Sequence, residues 1–369
     1  MQAQTELSNP EDSWGKTHVL GRHIFLRGSF VPSALVESRV GVRAGIEYHQ
    51  VPGFAQLPSL VANSAPQAVD LRTLNVAETL DFSIRLHDHV ALFGEGYGRA
   101  RVGANTATLL GTGADYTYGG DLGLLVKLFR IEGFQLSVSG QLGYYAGQSA
   151  GILAMFQDLS TIANKTIQDV ATTIQTTDPN SDLNQVVTQA ANRAIEQLNA
   201  AFRVATADLL TPFDGVRYGF AINAAQALGR YFGLQASLGY YADSASYRPT
   251  HYDALVGGPV SVEHTVTTTR PSFCMAADFD ASPTGVPLAL MMEYRVSPVD
   301  MSTTDTSGRN VSTVEQLLAL GLFYSGRTDL QLGLTGYTVF GQPPALGVNA
   351  IPSGKPLDLA LQLVFRYYW

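Results

Sequence analysis

The sequence predicts an all-β fold, a transmembrane antiparallel β-barrel of about twelve strands. The last fourteen residues alternate between large apolar side chains and smaller or polar ones. Charged residues make up only 15% of the chain, yet no apolar run reaches the length of a membrane helix. Short and long connections also follow one another regularly between the alternating segments. Together, these patterns favour a membrane protein that crosses the bilayer with strands.

The C-terminal segment, residues 356–369, carries the clearest pattern and reads PLDLALQLVFRYYW. A period of two places its large side chains on one face of a β-strand. At about 3.3 Å per residue and about 40° of tilt, such a strand crosses the hydrocarbon layer. A soluble sandwich with a hydrophobic last strand is the alternative interpretation.

This segment resembles the closing strand of a bacterial outer-membrane β-barrel of the porin-like superfamily, which ends in an aromatic residue that the insertion machinery reads. The resemblance implies an assembly signal at Phe365, Tyr367 and Trp369. It also implies a Gram-negative outer membrane with lipopolysaccharide, the outer-membrane assembly machinery as a partner, and a periplasmic C-terminus. The first ten residues show no signal peptide, so we expect a mature chain.

The N-terminal part is polar, and we interpret residues 1–36 as a periplasmic extension before a barrel over residues 37–369. Within the extension, residues 23–30 are apolar enough for a short strand or for a segment that folds toward the lumen. Alternation begins near Arg39, and prolines predict a loop over residues 51–75.

Five hairpins follow, each with two alternating segments around a tight turn. Their turns are expected at 87–89, 131–133, 229–230, 282–285 and 325–327. Longer loops are expected at 102–113, 244–270, 298–311 and 341–355. Bacterial outer-membrane barrels have even strand numbers, short periplasmic turns and long external loops. With a periplasmic C-terminus, every short turn here falls on the periplasmic side.

Residues 148–211 break the β pattern. Apolar side chains recur at steps of three and four over 156–174 and 183–209, which is typical of helices. We predict a two-helix hairpin inserted between the fifth and sixth strands, on the extracellular side. Two packed helices need about 20 Å of width, so we expect the pair to project outward as a lid or as a docking surface for an extracellular protein. A disordered loop is the alternative.

Charge is segregated by the same alternation. Almost no charge falls on the predicted outer face, where it would cost about 2–4 kcal/mol at mid-membrane. The predicted pore-lining residues are Arg39, Arg43, Glu47, Asp81, Arg85, Glu95, Arg99, Arg101, Asp121, Lys127, Arg217, Asp278, Asp280, Glu293, Arg295, Asp358 and Arg366. We expect the arginines of the early strands to form a basic wall that faces the acids of the later strands.

The strand number gives the size of the lumen. Twelve strands about 4.8 Å apart and tilted by about 40° give a backbone diameter of roughly 24 Å, and side chains leave a passage of roughly 12–14 Å. The leading hypothesis is a porin-like channel for the passive passage of small polar solutes, gated or covered by the helical hairpin. The alternative is a closed structural or adhesive barrel whose outer loops and helices dock a surface partner.

Other chemistry has little support. The net charge of −8 argues against a nucleic-acid partner. His87 and His89 have no cysteine or third histidine nearby, so we expect neither a metal nor a cofactor. No histidine is followed two residues later by serine, the pair that outer-membrane phospholipases carry. Cys274 is expected to be an inert small residue. We therefore expect no catalytic residue and no enzymatic activity.

Overall fold

The computed structural model describes residues 24–28, 30–57, 67–105, 108–109, 113–131, 133–150, 210–248, 250–253, 258–261, 263–304, 310–341 and 357–369, together with eight isolated positions between 168 and 199. Twelve long strands close into one antiparallel barrel, as the sequence predicts. The strands are β1 (Arg39–Leu57), β2 (Gln67–His87), β3 (Val90–Gly103), β4 (Ala114–Ile131), β5 (Phe134–Ala150), β6 (Leu210–Leu228), β7 (Phe232–Tyr247), β8 (Thr250–Asp253), β9 (Gly258–Ser261), β10 (His264–Asp280), β11 (Leu288–Thr303), β12 (Asn310–Tyr324), β13 (Leu330–Phe340) and β14 (Leu357–Tyr368). The short strands β8 and β9 form a separate two-stranded sheet.

The barrel closes where the first strand meets the last. β1 pairs with β14 over a continuous register from Arg39 opposite Tyr368 to Gln50 opposite Leu357. Every other barrel strand pairs with the barrel strands that precede and follow it along the chain. Closure leaves no strand edge with unpaired backbone groups. A sheet in hydrocarbon must meet this condition, because no water is present to pair with such groups.

The connections define two ends of the barrel. The five tight turns lie at one end, here called the short-turn end, and there Gly285 ends a 3-10 turn (Ser282–Thr284) with a φ of 88°. The other end, called the long-loop end, carries the remaining connections. Several strands run further toward it than the sequence predicts. β1 continues to Leu57 past a bulge, β10 starts at His264, and β11 reaches Thr303, so the predicted loops at 51–75, 244–270 and 298–311 are too long.

The outer surface is apolar around the barrel. Leucines on strands around the barrel point outward and are more than half exposed, for example Leu80, Leu122, Leu142 and Leu320. The residues between them face inward and are mostly small, polar or charged, with a few large apolar side chains such as Met291 and Phe323. Exposed leucine at this density is incompatible with water but fits a lipid bilayer.

The predicted helical hairpin lies outside the described residues, apart from isolated positions. Those positions are Gln168, Thr172, Thr188, Gln189, Asn192, Ile195, Glu196 and Asn199, each with helical backbone. Ala150 at the end of β5 pairs with Leu210 at the start of β6, so the insertion leaves and rejoins the barrel at one point of the long-loop end. In the described part of the chain, no helix has the length and hydropathy needed to span a bilayer.

Candidate functional site

The lumen of the barrel is occupied at the short-turn end by residues 24–37, here called the lumen segment. Its first residues pack against its last: Ile24 and Phe25 contact Ala34 and Leu35, and the cluster rests on Ala225 of β6. All five are almost fully buried. The predicted periplasmic extension is therefore wrong for residues 24–36, which lie inside the barrel. Residues 1–23 lie outside the described part of the chain.

Leu26 fixes the lumen segment to two walls. Its side chain enters an apolar cluster of the inner faces of β11, β12 and β14, formed by Ala289, Met291, Phe323 and Val364. Its backbone N–H donates to Asp278 Oδ2 at 3.2 Å. Gln235 on β7 donates from Nε2 to the Leu26 carbonyl at 2.8 Å and to Asp278 Oδ2 at 2.9 Å. Asp278 thus accepts one backbone N–H of the segment, and it does not line an open passage.

The next residues are held through their backbones. The Arg27 carbonyl accepts hydrogen bonds from Gln331 Nε2 at 3.0 Å and from Arg366 Nη1. A side chain at Gly28 would collide with Glu293 and Met291 of β11. A larger residue at this position would therefore displace the ends of these two side chains.

Phe30 forms the tip of the lumen segment. Its N–H donates to Glu293 Oε2 at 3.1 Å. Its ring meets the Tyr337 ring edge-on, with centroids 4.9 Å apart. The Arg295 guanidinium lies 5.3 Å from the Phe30 ring centroid, within the range of a cation–π interaction. Two strands therefore fix the tip: β11 through Glu293 and Arg295, and β13 through Tyr337.

The chain then crosses back to the opposite wall. Val31 packs against Cys274 and Ala276 of β10, and Cys274 is a buried free cysteine within this cluster. Gln135 of β5 donates from Nε2 to the Ala34 carbonyl at 2.6 Å. Val36 packs against Ala91 and Leu125, on β3 and β4. The lumen segment thus contacts strands on all sides of the barrel and occludes its short-turn end.

A buried charge cluster lies at the seam of the barrel. Asp81 of β2 accepts hydrogen bonds from Arg39 Nε of β1 at 3.3 Å and from Arg366 Nε of β14 at 3.0 Å. Arg39 also donates from Nη1 to Glu37 at 3.0 Å. Asp81 and Arg366 are fully buried, and Arg39 is 1% exposed. The cluster ties the first, second and last strands to one another and, through Arg366, to the lumen segment.

Between Phe30 and the long-loop end, the lumen is polar and most of its charges are paired. Arg43 contacts Glu95 at 3.2 Å, and Arg217 contacts Glu95 at 3.8 Å. Further pairs join Arg217 to Asp121, Arg99 to Glu47, Arg101 to Asp115, His49 to Asp358, and Arg295 to Glu315. The expected basic wall is wrong, because the early-strand arginines are matched by acids that also lie on early strands.

Two cavities occupy this polar part of the lumen, and Phe30 and Arg295 line both. The larger cavity, of about 410 Å³, lies toward β4, β6, β7 and β10 and is also lined by Asp121, Arg217, Tyr241, Asp243 and Arg270. The smaller cavity, of about 270 Å³, lies toward β1, β3, β12 and β13 and is also lined by Glu47, Arg99, Arg101, Glu315 and Tyr337. The tip of the lumen segment therefore forms the floor of the water-accessible lumen.

The remaining predicted pore-lining residues lie at the short-turn end. Arg85 pairs with Asp88 across a turn, and this hydrogen bond lowers the pKa of Asp88. Asp280 is buried and accepts the Ser282 N–H at 2.9 Å, so it caps a turn instead of lining a passage. Lys127 lies half-buried on the inner face of β4. Among the described residues, no group of three or more metal-binding side chains comes together.

Sequence reasoning missed several lumen residues. Asp243, Arg270 and Glu315 are inward-facing, but they fall at or beyond the predicted strand ends. The apolar outer alternation that marks a strand stops at the membrane surface, whereas the inner face continues beyond it. Extending each strand by two or three residues in the same phase would have found all three.

No protein-family model and no curated protein sequence matches the chain. Among solved structures, similarity is found to the translocator domain of the autotransporter NalP from Neisseria meningitidis, with a TM-score of 0.46, 7% identity, and coverage of 94% of this chain and 91% of that one. Similarity is also found to the β domain of the Bordetella autotransporter BrkA, with a TM-score of 0.45, 12% identity, and coverage of 90% and 100%.

An outer membrane channel from Pseudomonas putida F1 is similar with a TM-score of 0.43 and 11% identity, and 93% of this chain and 99% of that one are covered. At such scores these likenesses carry no argument about function. The closed barrel, its apolar outer surface and its polar interior define the class: the chain is a bacterial outer-membrane β-barrel.

Proposed function

We propose that the chain is an outer-membrane channel for the passive passage of small polar solutes, held closed at the short-turn end by the lumen segment. One observation carries the proposal: a polar, charge-lined lumen ends on a segment that blocks it through non-covalent contacts alone. The inner charges above Phe30 disfavour apolar solutes, because each ion pair would lose its hydrating water without gaining a hydrogen-bond partner from the solute. We propose no enzymatic activity and no nucleic-acid partner.

The lumen segment has the properties of a gate. It is continuous with the barrel only at Ser38, so it can leave the lumen without strain in any strand. Its departure would expose the apolar cluster around Leu26 and leave Asp278 and Glu293 without its N–H donors. Opening is therefore unfavourable, and we expect it to be rare without a stimulus.

Recordings from the purified full-length chain in planar bilayers test this proposal. We expect a closed baseline interrupted by brief current steps. The second candidate, a closed structural or adhesive barrel, is favoured by the burial of the lumen segment. It predicts no steps at any applied voltage, and that result would contradict the channel proposal.

For orientation, we propose that the short-turn end and the C-terminus face the periplasm and that lipopolysaccharide surrounds the other end. Short turns on the periplasmic side and long loops outside are the rule in this class. Tyr367 and Trp369 lie on the outer face and stack with centroids 6.4 Å apart, and Phe365 is also exposed there. We propose that the assembly machinery reads these three aromatic side chains.

Replacing Phe365 and Trp369 by alanine is expected to reduce the amount of folded barrel in the membrane several-fold. Electrophoresis of unboiled and boiled membranes measures folded and unfolded chain. The matched control replaces Leu361 and Leu363, which are both 52% exposed on the same face of β14. The control removes similar lipid contact without the terminal aromatics, so equal losses in both variants would contradict a specific signal.

The predicted insertion, 148–211, is shortened at both ends by β5 and β6, and we also propose that residues 151–209 form the two-helix hairpin and project outward from the long-loop end. The helical spacing of apolar residues and the pairing of Ala150 with Leu210 support this. Protease added to intact cells is expected to cut near residues 177–180. Protection of that site until the barrel is dissolved would contradict an outward position.

A further inference from the structure

The larger cavity contains two arginines that are incompletely neutralised. Arg295 of β11 forms an ion pair with Glu315, and Arg270 of β10 reaches the same carboxylate only at 3.9 Å between Nη2 and Oε2. The Nε atoms of Arg270 and Arg295 are both buried and have no hydrogen-bond partner among the described residues. The two guanidinium groups share one carboxylate, and their side chains are 37% and 20% exposed, so their terminal N–H groups are available to an acceptor supplied by a ligand.

Hydroxyl groups flank this pair. Thr268 and Ser272 lie two residues to either side of Arg270 on the inner face of β10, and both are buried. All of these residues except Glu315 line the larger cavity. Guanidinium and hydroxyl donors on one wall form a pattern that recognises a carboxylate, since arginine presents a planar fork of donors to it.

An acid stands beside the arginines. Asp243 of β7 lies opposite Thr268 in the β7–β10 register and also lines the cavity. It accepts the Tyr145 hydroxyl at 2.7 Å, which is a neutral partner. The other acids of this cavity, Glu95 and Asp121, are already paired with arginine. Asp243 therefore disfavours a plain anion and favours a solute that carries an ammonium group as well.

We propose that the larger cavity binds free amino acids, with the carboxylate on Arg270 and Arg295 and the ammonium group near Asp243. Its volume of about 410 Å³ lies in the range of small-molecule sites. This assignment names a solute class for the channel and so rests on the function proposed above. Phe30, which shares the cavity, would place the solute directly on the closed gate.

The test measures binding in detergent, without transport, by ligand-observed NMR on the intact chain. We expect L-alanine to bind and propionamide, a neutral molecule of similar size, not to bind. Arg270→Gln and Asp243→Asn are each expected to weaken alanine binding about tenfold, because each removes one charge-assisted contact. Arg248→Gln is the matched control, since Arg248 carries the same charge at the rim, paired with Asp214 and Glu263.

Equal binding of alanine and propionamide, or wild-type alanine binding in Arg270→Gln, would overturn the assignment. Heat-modifiable electrophoresis checks the folding of each variant, and Arg270→Lys replaces Arg270→Gln if the latter does not fold, with weakened binding again expected. Current steps in the absence of alanine binding would contradict this site alone. Alanine binding in a chain that never conducts would contradict the channel and leave the site intact.

Discussion

Removal of residues 1–36 is expected to convert the chain from a closed barrel into an open channel. The deletion takes away the lumen segment except Glu37 and leaves every strand, since β1 begins at Arg39. A twelve-stranded barrel then has a passage of roughly 12–14 Å along its length. We expect the mean current in planar bilayers to rise at least about tenfold, and liposomes that contain the variant to swell in isotonic solutions of small sugars.

The matched control lacks only residues 1–23 and retains the segment from Ile24 onward. It should remain closed, because every described contact of the lumen segment with the barrel is still present. If the longer deletion folds, as judged by heat-modifiable mobility, and still passes no current, the occluding role of the lumen segment is wrong. Equal opening in both variants would show that residues before Ile24 are needed to close the lumen.

The architecture could be predicted from the sequence because successive residues of a barrel strand face lipid and lumen in turn, so that apolar side chains recur at every second position. The closing strand shows this: Leu359, Leu361 and Leu363 point outward and are about half exposed, as the alternation predicts. Tight turns were predictable for a related reason, since residues such as Gly229 and Gly285, with φ of 67° and 88°, interrupt the pattern where the chain reverses. The orientation and the helical insertion remain predictions.

The interior could be predicted only in part. Period two indicates which face a charge lies on, but the partner depends on register and on the stagger between strands. Arg43 meets Glu95, which lies on β3 and is not on an adjacent strand, and no spacing in the sequence encodes that meeting. The sequence pattern also does not show which charges face open water, because this depends on where the lumen segment lies.

The lumen segment itself shows no periodic pattern of apolar residues. Its apolar residues sit in irregular backbone and contact different parts of the wall: Leu26 meets β11, β12 and β14, whereas Val36 meets β3 and β4. What holds it is a set of inward glutamines and acids such as Gln235, Gln331 and Asp278, which serve its backbone. Inward amide side chains at the short-turn end are a signal that could have indicated an occupied lumen, because they are suited to bind peptide groups.

Asp81→Asn is expected to destabilise the folded barrel by about 3–5 kcal/mol. Asp81 is fully buried and is the carboxylate between Arg39 and Arg366. Asparagine keeps the size of the side chain but leaves two buried guanidinium groups without that negative charge. The midpoint of urea unfolding, followed by heat-modifiable mobility, measures the change. Asp88→Asn is the control, since it removes a carboxylate paired with Arg85 in an exposed turn, where no measurable shift is expected.

The same substitution links stability to gating. Arg366 donates to both Asp81 and the Arg27 carbonyl, so a guanidinium that loses its carboxylate is expected to move and to weaken its contact with the lumen segment. Asp81→Asn should therefore open more often in planar bilayers than the wild type, at urea concentrations far below unfolding. An unchanged urea midpoint would show that the cluster is not buried as described. A lowered urea midpoint with an unchanged frequency of opening would show that the charge cluster stabilises the barrel but does not influence gating.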